Sequence, residues 1–150
     1  MKKIIDALLI LIPSVIMSTI TFSNEKHNTT SHLTTSLSIN NHKITVEVAD
    51  NEKLRTTGLM FRESIKYNQG MLFVYKSPKL HCMWMKNTQI PLSVAFIDQN
   101  HIIINIKSMK PFDETPHCSK NPAKYALEMN YGWFQKNKIL SGHKVLGLNY

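Results

Sequence analysis

The segment "IPLSVAFIDQNHIIINIKSM", Ile90 to Met109, constrains the chain most. Two short runs rich in Val, Ile and Phe flank the polar turn Asp98-Gln99-Asn100-His101, which reads as a β-hairpin over Ile90–Asp98 and His101–Met109. A hairpin cannot bury its apolar face alone, so the rest of the chain must supply more sheet or covering helices.

The same grammar recurs on both sides. "TTSLSI" and "KITVEVAD" flank "NNH", with Ile44, Val46 and Val48 alternating against Thr45 and Glu47, as in a strand pair around an Asn-containing turn. Asp50 can cap a short helix over 51–57 that Gly58 ends. "GMLFVY" and "LHCMWMK" read as short strands, and the proline-rich "KPFDETPHCSKNPA" as a loop. "KYALEMN" alternates Tyr125, Leu127 and Met129 against Ala126 and Glu128, as a strand does; "YGWFQKNKI" carries a helical turn or two, and "HKVLGLNY" a last strand. The expected fold is mainly β with short helices (α+β). It is a small closed or partly open antiparallel β-barrel-like domain over 35–150, with no long parallel crossover.

Residues 1–23 open with Lys2 and Lys3, then run apolar from Ile4 to Phe22. That is the layout of a signal peptide cut after Ser23, the alternative being an uncleaved anchor interrupted by Asp6 and Pro13. Residues 24–34 are polar and read as a flexible lead. The expected location is outside the cytoplasm, in the periplasm or cell envelope. The chain carries a formal charge of +8, but its Lys and Arg are scattered without a basic run, which argues against nucleic acid. Membrane association is expected only through the N-terminal segment or weak, salt-sensitive attraction. Partners are then a small ligand or an envelope protein.

"RTTGLMFRESIKYNQGMLFVY", "MWMKNTQIPLSVAFID", "MKP", "PAKYALEMNYGWF" and "SGHKV" occur in that order. This succession resembles the DUF192 (UPF0127) family, small proteins often exported by prokaryotes. The resemblance implies a compact, mostly β domain with a helix ahead of the Gly-Leu-Met turn; it implies no reaction. His81, Cys82 and Met83 are not required by that pattern.

Three kinds of chemistry are open. Arg55, Arg62, Trp84, Lys86, Asn87, Thr88, Glu128 and Trp133 would lie at element ends that a barrel brings to one rim, where polar groups and aromatic faces hold a small ligand, anionic or carbohydrate-like. The plainer reading pairs Arg55 or Arg62 with Glu128 as a buried ion pair and leaves Asn87 and Thr88 to turn chemistry. No cofactor is expected. The alternative is a soft-metal (copper) site from His81, Met83 and Met85, on one face of an extended strand, completed by His117 or Cys118. A hydrolytic enzyme, with Cys118 as nucleophile, comes third, because no orienting motif accompanies it. The only two cysteines, Cys82 and Cys118, can instead form a disulfide closing 35 intervening residues. Nothing in the sequence shows whether their Cβ atoms meet.

Overall fold

The computed structural model describes residues 33–150. The expectations for a signal peptide and its cleavage, and most of the polar lead, lie outside those residues. Leu33 already belongs to the fold, because its carbonyl accepts from the Val48 N–H at 2.8 Å.

Strand β1 (Thr34–Ile39) pairs antiparallel with β2 (His42–Ala49). The two residues between them, Asn40 and Asn41, have φ of 47° and 66°. Positive φ at both centres is the hairpin turn that matches strand twist, and Asn tolerates it best after Gly. Helix α1 (Glu52–Thr57) follows. Its cap is Asn51, one residue later than expected: the Asn51 Oδ1 accepts from the Leu54 N–H at 3.0 Å. Gly58, with φ of 49°, ends the helix.

Strand β3 (Gln69–Lys79) then pairs with β2 in parallel, from Thr45 with Gln69 to Ala49 with Phe73. This corrects the all-antiparallel expectation. The connection from Ala49 to Gln69 carries α1 and is long enough to return the chain to the same end of the sheet.

The central hairpin forms as β5 (Leu92–Ile97) and β6 (Ile103–Met109). Asp98 Oδ1 accepts from the N–H groups of Asn100 and Ile102 and shapes its turn. Strand β8 (Ala123–Asn130) sits between β5 and β3, antiparallel to both. The one-turn helix α2 (Trp133–Lys136) leads to β9 (Val145–Leu146) on the outer side of β1.

The seven strands run in the order β6-β5-β8-β3-β2-β1-β9. The sheet is a curled, mixed half-barrel, and its two edge segments meet where Ile102 bridges Lys144. "LHCMWMK" is not one strand: only β4 (Cys82–Met83) is extended. Its partner is β7 (His117–Cys118), within the stretch expected to be pure loop.

Burial explains the continuous apolar runs. Leu72, Leu127, Met129, Trp133 and Phe134 fill the concave side of the sheet. Met71, Phe73, Val94, Phe96 and Ala126 face the other side, covered by Leu59, Met85 and Ile90. Strands β5, β8 and β3 are therefore buried on both faces over their paired stretch, and all six residues of β5 are buried.

Candidate functional site

The alternation of β8 sends Leu127 and Met129 to the concave core and Ala126 and Glu128 to the opposite face. Pairing sets Glu128 between Met71 on β3 and Val94 on β5. A solvated carboxylate would suit that position if the face were open, but α1 and the segment around Trp84 cover it. Glu128 is 4% exposed. Among the described residues none donates it a hydrogen bond or forms an ion pair with it. Burial alone pushes its pKa up from 4.5 to about 8, so the carboxyl is mainly protonated at neutral pH.

The carboxyl forms the floor of a recess of about 30 Å³, with walls that include Arg55, Gly58, Phe73, Trp84 and Thr88. A water needs about 10–15 Å³ by this measure, so the recess accepts one or two non-hydrogen atoms. A shallower groove of about 200 Å³ runs alongside, sharing Arg55, Thr56, Phe73, Met83 and Trp84 and adding Glu52, Tyr75 and Cys82.

The recess-lining residues Met60 and Thr88 each adjoin a residue at positive φ, and a third such residue is bonded to Thr88. Phe61, Asn87 and Phe112 have φ of 62°, 53° and 59°. The Phe61 N–H donates to the Asn87 carbonyl at 2.9 Å, and the Phe112 N–H to the Thr88 carbonyl at 3.0 Å. A left-handed conformation costs a phenylalanine about 1–2 kcal/mol. The two side chains recover little by packing, since Phe61 is 72% and Phe112 63% exposed. Trp84, 49% exposed, is the third outward ring, with Lys86 Nζ 5.4 Å from its centre. Strain held in place by backbone bonds beside a recess is the kind found at binding sites.

Arg55 does not neutralise Glu128. Its Nη1 donates to the Asp50 carbonyl at 2.7 Å and the Val74 carbonyl at 3.0 Å, fastening α1 to β3. Its guanidinium carbon also lies 6.0 Å from the Tyr75 ring centre. Arg62 pairs with Glu47 at 2.7 Å and lines a separate recess with Thr34 and Gln69. The ion pair expected between either arginine and Glu128 is thus absent, because both guanidinium groups are engaged elsewhere. Trp133 is 1% exposed in the concave core, where its Nε1–H donates to Asn68 Oδ1, so it stands apart from the rim. Thr88 lines the recess while its Oγ1 donates to the Lys86 carbonyl, closing the turn. Tyr75, on the wall of the groove, is a site residue that sequence reasoning passed over.

Cys82 and Cys118 face each other across β4 and β7 and are joined by a disulfide, S–S 2.01 Å. Cys118 therefore has no thiolate for a metal or for nucleophilic attack. Met85 lies beyond the end of β4, fully buried in the core, so strand alternation does not bring it to His81 and Met83. Register puts Met83 opposite His117, and His81, just ahead of β4, is tied to Ser119, its N–H donating to Oγ at 3.1 Å and its carbonyl accepting from the Ser119 N–H at 2.9 Å. His81 stacks on Tyr75 at 3.5 Å, and the Tyr75 hydroxyl donates to Met83 Sδ at 3.4 Å. Burial, with the Glu128 charge adding to it, raises the Tyr75 pKa. Burial also lowers that of His81. His81 Nε2 and His117 Nδ1 are buried without a hydrogen-bond partner. Among the described residues no three His, Cys, Asp or Glu side chains gather as a metal site. Buried Asn105 anchors the ribbon to the sheet, its Nδ2 donating to the Cys118 carbonyl and its Oδ1 accepting from the Lys120 N–H.

A curled mixed half-barrel with a carboxyl-floored cleft on its convex side defines the structural class. The model of DUF192, a family described as an uncharacterised ACR, matches residues 35–147, and the chain belongs to that family. A Sinorhizobium meliloti 1021 structure labelled a candidate transcription regulator is similar, with 31% identity and a TM-score of 0.75, over 78% of this chain and 95% of the other. A protein of unknown function from Novosphingobium aromaticivorans DSM 12444 is similar at 29% identity and a TM-score of 0.74, over 79% and 89%. No curated protein matches the chain.

Proposed function

We propose that this protein is an exported small-ligand binding or accessory module of the cell envelope, acting at the cleft above Glu128. The observation that carries this reading is an unpaired, buried carboxyl at the bottom of an open recess. A group of that kind is costly to fold around and goes unrepaid inside the chain. The exposed Trp84 at the mouth supplies contact area, and Thr88 and the end of α1 supply polar edges. In a thermal-shift screen of small metabolites on the full chain, at least one compound raises Tm for the native protein and not for Trp84→Ala. A broad screen with no such compound removes the reading. Export is checked by intact mass: protein recovered from the envelope lacks residues 1–23.

A second reading has its own observation. His81 Nε2 and His117 Nδ1 lack partners, and Met83, in register with His117, adds a thioether, a soft donor set of the kind Cu(I) takes. Titration of Cu(I) against a chromogenic chelator tests it. Stoichiometric capture, lost in Met83→Leu, supports copper; no competition with the chelator ends it.

A further inference from the structure

We propose that the ligand is a neutral glycan: one sugar ring lies against Trp84 with a single hydroxyl in the recess on Glu128. This inference rests on the binding reading above and names the chemistry of its ligand.

Four observations converge on it. The recess of about 30 Å³ admits a hydroxyl but has no room for the four oxygens of a phosphate. Its floor is a carboxyl with no partner inside the protein. In its neutral form that carboxyl both donates and accepts, as a sugar hydroxyl does, so the two satisfy each other. An anionic group would have to shed its water beside the buried carboxyl, while the Arg55 Nη1 on the wall is already held by the Asp50 and Val74 carbonyls. A cationic ligand would meet Arg55 on the wall and Lys86 over the indole. Lastly, Trp84 is an exposed ring on the wall of the recess and of the groove beside it. The apolar C–H face of a pyranose packs on such a ring. Lys86, on an exposed side chain, can donate to a sugar oxygen at the indole edge.

The test uses the full chain and calorimetric titration, with Trp fluorescence as a second signal. The probes are the neutral tetrasaccharides of N-acetylglucosamine, of β-linked glucose and of α-linked glucose, with pyrophosphate and spermidine as charged controls. At least one tetrasaccharide is expected to saturate the protein, with an affinity indifferent to salt. Trp84→Ala and Glu128→Leu should each weaken it about tenfold or more, while Glu128→Gln, which keeps a donor and an acceptor, holds near-native affinity. Because Glu128→Leu can also disturb packing, singly deoxygenated sugars provide an independent probe. One hydroxyl position, and not the others, should account for the loss. Binding of pyrophosphate or spermidine that depends on Trp84, with none of the neutral sugars, overturns the glycan assignment and leaves the binding module standing. If no sugar or control perturbs Trp84, and Glu128→Leu changes only stability, both the assignment and the cleft reading fall.

Discussion

Glu128 makes stability depend on pH in a direction opposite to that of most carboxylates. Its folded pKa is about 8 against an ordinary 4.5, so between those values the unfolded chain releases a proton that the folded chain keeps. Stability is therefore full below pH 4.5, declines as pH rises towards 8, and then levels. The whole decline is on the order of 4–5 kcal/mol. Urea unfolding across this range should show it, and Glu128→Gln should flatten the profile and be the more stable protein at pH 8. A native profile that is flat there would mean that Glu128 is ionised and has a cation partner. A second residue-scale prediction concerns Gly70. A Cβ at that position would overlap the Glu128 carbonyl oxygen and the Met129 sulfur, where β3 pairs with β8. Gly70→Ala should cost about 3 kcal/mol, because the obstruction includes backbone that cannot turn aside. A denaturation midpoint close to native would show that β8 can shift.

At the scale of elements, α1 is six residues long and buries none of them, so its cap and its arginine fastening hold the cleft wall. Asn51→Ala should lower stability by about 1 kcal/mol, read as a shift in urea midpoint at unchanged slope. The β4–β7 ribbon is only two residues per strand and depends on its disulfide. Replacing both cysteines by serine should cost about 3–4 kcal/mol by the loop-entropy model; a loss below 1 kcal/mol would mean that Asn105 alone suffices. These elements mark the limit of what the sequence disclosed. The hairpins were legible because the turns "NN" and "DQNH" carry their own chemistry. The helix was legible as well, displaced by one residue because Asp50 and Asn51 are both good caps. The parallel β2–β3 pair was not, since alternation within β2 is the same whichever direction its neighbour runs. Nor was the ribbon, whose strands are too short for any period and exist through contacts with each other. Of the site, Trp84, Thr88 and Glu128 were visible as residue types. That Glu128 is covered follows only from the layer laid over its face, and the outward Phe61 and Phe112 follow only from backbone bonds to the 87–88 turn.

For the whole molecule, the concave core is closed from the C-terminal side. Val145 and Leu148 are buried there, and the Val145 N–H donates to the His101 carbonyl across the meeting of the sheet ends. Leu148→Ala should therefore cost about 2–5 kcal/mol, as a core truncation does. If the loss is a few tenths, the tail is an ornament and the half-barrel stands without it. The meeting of the two ends has a wider consequence. Most sheets present an outermost strand whose unpaired amides can recruit another polypeptide, the usual opening to fibrils. Here β6 is met at its start by Lys144, and Asn105 within it fastens the Cys118–Lys120 segment alongside. The short β9 leaves little else to copy, so crowding this protein should produce reversible contacts rather than ordered aggregates.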